Sequence, residues 1–397
     1  MIPANVFDAD RPYPGTMRLA LAMFALILVA ATPPAHADHF DLSLIEYDIP
    51  PDSIGSIDAP EFESPDYVSP LDEVIGVALG GTAHAYPLKV LRVHEVVNDV
   101  VAGVPVTVTY CSLCGTAVAY ERPLWNGTPL VFHTSGLLYR NNKVLYDTAT
   151  WSLWPQILGE AVNGSLHGTL LRDVTATRTS WADWRGRHPA SLVLARPLPE
   201  WLLDYNVDSY EDICIAPLEA FPYCEDRGSY YTTNYTVKEW RHPDRRLHPK
   251  APVYGLAYGG TSVAYPMESL ASAGVINDAV GGVRFVLTYF NGSVNAFFAG
   301  KATFTGDAAR AMSDGSGGVF DRISGEGPGG ALDRARGLQV FWFAWKDAHP
   351  DTRLYGVDWP PGDGGDPALG AVVVAVAGTV NAAIVLLFWR RATRRGR

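Results

Sequence analysis

The sequence predicts an α+β protein, mostly antiparallel β, with two related lobes from an internal repeat plus one C-terminal transmembrane helix. Three observations predict it: short alternating apolar runs punctuated by glycine turns, one internal repeat, and an uncharged run close to the C-terminus. VIGVALGGTAHAYP (74–87) aligns without gaps to VYGLAYGGTSVAYP (253–266) and matches at nine of fourteen positions. At the same offset, VNDVVAGVPVTVTY (97–110) matches INDAVGGVRFVLTY (276–289) at seven of fourteen. About one match per window is expected by chance. WADWRGRHP (181–189) then resembles WFAWKDAHP (342–350), at an offset shortened from 179 to 161.

Within the first copy, VIGVALGG and TAHAYPL alternate around Gly80-Gly81, which predicts a two-residue hairpin. LKVLRVHEVV places Leu88, Leu91 and Val96 on one face of a short helix, with His94 and Glu95 beside them. VPVTVTY is a β-branched strand, and TAVAYE, TPLVFHTSG and KVLYD read as further strands. SWADWRGRH is a helix stopped by Pro189. Asn98-Asp99 recurs as Asn277-Asp278 and His188-Pro189 as His349-Pro350. These read as scaffold: a turn after the first helix and the end of the second. The predicted boundaries are an extended segment at 38–73, a first repeat lobe at 74–196, a Pro-rich connector at 197–250, a second, degenerate lobe at 251–358 and a linker at 359–367.

The ends set the expected location. Leu19–Ala31 is apolar, follows Met17-Arg18 and precedes Ala35-His36-Ala37, the pattern of a secretory signal peptide within 1–37 whose start is possibly Met17. Ala368–Trp389 carries no charge over 22 residues. As a helix it would extend about 33 Å, enough to cross a bilayer core. The tail 390–397 holds five arginines, which places it in the cytoplasm and the N-terminal ectodomain outside. The expected protein is therefore single-pass in the cell membrane, held there by its C-terminal helix. Residues 38–367 carry 24 Lys+Arg against 40 Asp+Glu, a formal charge of 24 − 40 = −16. Such a field repels nucleic acid, so no nucleic-acid partner is expected.

The chain has four cysteines. Cys214 and Cys224, ten residues apart in a Pro-rich loop, predict a disulfide in an oxidising compartment. Cys111 and Cys114 lie in TYCSLCGTAVAY (109–120), whose counterpart TYFNGSVNAFFA (288–299) has no cysteine. Cys111 aligns with Phe290, Cys114 with Ser293, His94 with Ala273 and Glu95 with Gly274. Residues held by one copy alone are candidates for chemistry, and the thiols and His94 are lost together. The counterpart Phe-Asn-Gly-Ser is a hairpin turn, so the CxxCG loop is predicted at a hairpin tip, where two thiolates chelate a soft or borderline metal. His94 is the expected third ligand and His133 a weaker one, with zinc and copper both chemically reasonable. Three readings stay open for the pair: metal site, redox-active thiols, or a structural disulfide in a surface-interaction module.

HEVVND (94–99), TYCSLCGTAV (109–118), SGLLYRNNKVLYD (135–147), SLWPQ (152–156) and RLHPKAPVYG (246–255) resemble the hallmarks of a prokaryotic family, domain of unknown function 3179. Ser112 stands where that family usually has proline. The resemblance implies exported or membrane-tethered proteins and assigns no activity, substrate or partner. It draws attention to Ser135, Tyr139, Asp147 and Gln156 as possible pocket residues beside the thiols, together with Glu95. Against that, Asp147 suits a turn, Trp151 and Trp154 suit a core, and Glu95 suits an exposed helix position.

Overall fold

Gly80 and Gly81 have φ of 53° and 84°, and Gly259 and Gly260 have 54° and 73°. Two successive positive φ values are what a type I′ hairpin turn demands, and glycine meets them without a Cβ clash. Each turn joins an antiparallel pair: Glu73–Leu79 with Thr82–Pro87, and Pro252–Tyr258 with Thr261–Pro266. This is a computed structural model, and it describes residues 41–196, 238–306 and 310–358.

After each hairpin comes one seven-residue helix, α1 (Leu88–His94) or, in the later stretch, Met267–Ala273. Three antiparallel strands follow each helix. They are Val96–Val101, Val104–Cys111 and Thr116–Glu121 in the first stretch, and Val275–Val280, Val283–Phe290 and Ser293–Phe298 in the second. Ala176–Ser180 then returns beside Glu73–Leu79, as Gly337–Phe341 does beside Pro252–Tyr258. Each leads into another helix, Trp181–Arg187 or Trp342–Ala348. The few parallel pairings are Leu192–Leu194 with Thr82–Pro87 and Arg353–Leu354 with Thr261–Pro266. The architecture is thus mostly antiparallel sheet with few helices.

A separate four-stranded sheet belongs to the first stretch: Ile45–Tyr47, Phe132–Tyr139, Asn142–Asp147 and Leu153–Pro155. The tip of its central hairpin reaches across to the helix Trp342–Ala348. Asn141 Nδ2 donates to Asp347 Oδ2 at 2.7 Å and Asn142 Nδ2 to Ala344 O at 3.2 Å. One apolar core also spans the two stretches, packing Cys111, Leu113, Cys114, Leu138 and Ile157 with Val253, Val340, Trp342 and Trp345. The CxxC loop is therefore wrapped by later parts of the chain.

Several expectations are corrected. α1 ends at His94, and Val96 belongs to the next strand. Asn98-Asp99 lies inside that strand rather than in a turn. Asn98 Nδ2 donates to Phe132 O at 2.9 Å and its Oδ1 accepts from Phe132 N at 3.1 Å. Asn277 makes the same pair of bonds with Phe304, at 2.7 and 2.8 Å. A buried amide that satisfies a neighbouring backbone overrides the low strand propensity of asparagine. Trp154 is fully buried as expected, whereas Trp151 is 64% exposed.

The expected signal peptide (1–37), Cys214–Cys224 disulfide, membrane span (368–389) and cytoplasmic tail (390–397) lie outside the described residues. Among the described residues, no helix is long and apolar enough to cross a membrane.

Candidate functional site

The CxxC loop turns between two paired strands, with Cys111 opposite Thr116. Gly115 takes φ 66° and its N–H donates to Cys111 O at 2.8 Å, closing the turn. The Cys114 N–H points at Cys111 Sγ, 3.4 Å away. Both thiols are free, and both are buried, at 1% and 0% exposure. Cys114 Sγ in turn lies 4.0 Å from Cys111 O, and the Thr116 hydroxyl beside it is buried without a hydrogen-bond partner among the described residues. Burial pushes the Cys111 thiol well up, reinforced by its hydrogen bond to Cys114 and by the charge there. Burial also opposes ionisation of Cys114, but the neighbouring Cys111 thiol and the backbone of Thr116 and Lys143 outweigh it and bring that thiol below its usual value. The pair is arranged to hold negative charge on Cys114 rather than on Cys111.

Two groups beside the thiols complete the cluster. Lys143, on the strand Asn142–Asp147, is 4% exposed, and its ammonium pairs with the Glu95 carboxylate, itself in a residue 6% exposed. Burial lowers the Lys143 pKa well below the usual lysine value. Glu95 caps α1 with φ 60°, where the corresponding Gly274 has 69°. A left-handed backbone is costly for a residue with a Cβ, so an acidic side chain here is held by its surroundings. The expected exposed helix position for Glu95 is corrected by this buried ion pair. Gln156 Nε2 donates to Thr109 Oγ1 at 2.8 Å and to Thr116 O at 3.2 Å, which ties it to the base of the CxxC hairpin. Ser112 Oγ and Gln156 Oε1 are buried without a hydrogen-bond partner among the described residues. Lys143 was missed by sequence reasoning. Its signal was a cation inside the strand of the family-like stretch RNNKVLYD.

The other predicted residues sit elsewhere. His94 is buried, and its Nδ1 bonds Gly55 O at 2.8 Å. A carbonyl only accepts, so Nδ1 carries the proton in this bond. His133 lies between two carboxylates, with Nδ1 3.0 Å from Asp52 and Nε2 2.9 Å from Asp58. Ser135 donates to Val144 O and accepts from Leu137 N at 3.1 Å, spanning a bulge in its strand. Tyr139 is buried under the Arg140 guanidinium. Asp147 closes a turn: it accepts from Thr150 N at 2.6 Å, Thr150 Oγ1 at 2.8 Å and Trp154 Nε1 at 3.0 Å. Among the described residues, no group of three or more His, Cys, Asp and Glu side chains surrounds a common metal position. The structure brings Cys111, Cys114, Gln156 and Glu95 together with Lys143, and leaves His133, Ser135, Tyr139 and Asp147 in local roles.

The family model described as "Protein of unknown function (DUF3179)" matches residues 51–352, from the arm before the first hairpin to the last described strand. The chain belongs to this family. All of the clustered residues, and both stretches of matching strand order apart from the final strand Arg353–Leu354, fall inside the DUF3179 region. No curated protein and no solved structure matches.

The pairing of His133 makes a pH prediction. Hydrogen bonding to Asp58, aided by the charges of Asp58 and Asp52, raises its pKa above 6.5 despite partial burial. A raised folded-state pKa contributes stability that is fully present below the unfolded value and is lost as pH rises through the folded one. Thermal stability is expected to fall as pH climbs from about 6 through the raised His133 pKa. His133→Gln should flatten that part of the profile; an unchanged slope would remove His133 as its source.

Proposed function

We propose that this DUF3179 protein is an exported protein anchored by the 368–389 helix, with two related lobes, whose first lobe binds a soft metal ion through Cys111 and Cys114. The observation that carries the reading is a pair of free, buried cysteines on one hairpin turn, with the Cys114 N–H aimed at Cys111 Sγ at 3.4 Å. Donors onto sulfur favour thiolate over thiol, and thiolates are the ligands of soft ions. Copper(I) fits best, because two thiolates satisfy it, whereas zinc asks for four ligands. For zinc, Nε2 of His94 would be the next donor, with Nδ1–H held by Gly55 O in the manner of an oriented histidine ligand.

The test uses the full-length chain in detergent, reduced and handled without oxygen, titrated with copper(I) against a chromogenic chelator and separately with zinc. One copper per chain is expected, with loss of binding in Cys111→Ser and in Cys114→Ser. Copper retained by both variants, or none retained by the wild type, would sink the proposal. A second reading has its own support in the two free thiols on one tight turn, three residues apart, which an oxidising compartment could close into a disulfide. Protein purified without reductant would then show no free thiol at 111 and 114, and would bind copper only after reduction.

A further inference from the structure

The turn Asp147–Trp151 is built like the turn Asp321–Gly325. In the first, Thr150 N and Oγ1 donate to the Asp147 carboxylate at 2.6 and 2.8 Å. In the second, Ser324 N and Oγ donate to the Asp321 carboxylate at 2.7 and 3.1 Å. Trp151 N then donates to Asp147 O, and Gly325 N to Asp321 O, both at 2.9 Å. The fifth residue of each turn takes a left-handed backbone, φ 77° at Gly325 and 58° at Trp151. Glycine is the residue such a position favours, and a bulky side chain there is a steric outlier. Nor is burial the return on that strain, since Trp151 is 64% exposed. Strain kept without burial points to a use for the indole itself.

Its surroundings say what kind of use. The indole stacks on Tyr146, centroids 4.6 Å apart and planes 21° from parallel, so Tyr146 takes one ring face. Tyr146 donates its hydroxyl to Asp52 Oδ2 at 2.6 Å. His133 packs edge-on against Tyr146 at 5.8 Å and bridges Asp52 to Asp58. The two carboxylate side chains remain 48% and 44% exposed. A carboxylate oxygen that accepts one hydrogen bond still has a second lone pair to offer.

An exposed indole beside outward carboxylates matches a pyranose ring, which presents an apolar C–H face for stacking and hydroxyls that donate to carboxylates. Two carboxylates against one imidazolium leave the patch acidic, and the whole chain carries a formal −11, so a neutral sugar suits it better than a phosphorylated or acidic one. An aromatic cage for an organic cation needs several ring faces around one point, and here Tyr146 covers one face of Trp151. We infer that Trp151, with Asp52 and Asp58, forms a binding platform for a neutral sugar ring of a polysaccharide. It is separate from the cysteine cluster and independent of any metal there.

Affinity electrophoresis of the detergent-solubilised full chain, in native gels containing hydroxyethyl cellulose, glycogen or galactomannan, tests it. Retardation is expected in at least one gel and relieved by the free component sugar. Trp151→Gly, which installs the residue the matching turn carries, should restore the mobility seen without polysaccharide, with a melting temperature at or above the wild-type value. Trp151→Phe should keep part of the retardation. Unchanged wild-type mobility in all three gels, or equal retardation of Trp151→Gly, overturns the inference. So does release by tetramethylammonium but not by sugar, which would assign the platform to organic cations.

Discussion

Gly76→Ala and Gly255→Ala should each destabilise the protein by several kcal/mol, and by nearly the same amount. A Cβ on Gly76 would sit 2.3 Å from Cε3 and Cζ3 of Trp184, and a Cβ on Gly255 would sit 2.3 Å from the same atoms of Trp345. Neither indole can swing aside at low cost. Trp184 Nε1 donates to Ser191 Oγ and Trp345 Nε1 to Thr352 Oγ1, both at 2.8 Å. His188 lies against Trp184 at 4.2 Å and His349 against Trp345 at 4.0 Å. Both tryptophans are almost fully buried. Overpacking alone costs about 1–3 kcal/mol, and losing the indole hydrogen bond adds about 1 kcal/mol, giving roughly 2–4 kcal/mol for each variant. Urea unfolding should show the loss as a lower midpoint at unchanged slope. A large effect at one glycine and a small one at the other would mean that the two sites are not equivalent.

The same glycines show how the sequence carries structural information. Gly76 and Gly255 occupy matching places in VIGVALGG and VYGLAYGG, just as the paired tryptophans and His-Pro do in the helices that follow. Local chemistry made these elements readable: positive φ at Gly-Gly, alternation in strands, proline after a helix. The asparagines misled because their signal is local while their role is not. Asn98 and Asn277 look like turn residues, yet each clamps the backbone of a residue 27 or more positions away. At the candidate site the cysteine pair was legible as a motif. Its surroundings were not, since they depend on pairing between distant segments. Lys143 reaches the hairpin from a strand of another sheet and Gln156 from the turn that follows one, and only the fold brings them there. Trp151 was read as core because tryptophan usually is buried; its backbone conformation decided otherwise.

Glu95→Ala should be the most costly change near the cysteines that leaves both thiols in place. It strips the counter-charge from Lys143, a residue 4% exposed. Breaking a buried ion pair from one side costs about 3–5 kcal/mol. Two effects work against that. Lys143 can shed its proton, because burial already depresses its pKa, and Gly in place of Ala would also release the strain of φ 60°. Glu95→Ala is therefore expected near the lower end, about 3 kcal/mol, and Glu95→Gly about 1 kcal/mol milder. The pH dependence carries the sign. Lys143 titrates lower in the folded than in the unfolded chain, so between the two values the unfolded chain binds the extra proton and stability rises with pH. The loss in Glu95→Ala should thus shrink as pH increases toward about 10. Lys143→Met in the Glu95→Ala background should recover much of the loss, since an apolar chain of similar length replaces the stranded ammonium. Strictly additive losses in the double variant would show that the two side chains do not act as a pair. The cluster beside Cys111 and Cys114 would then owe its charge balance to other groups.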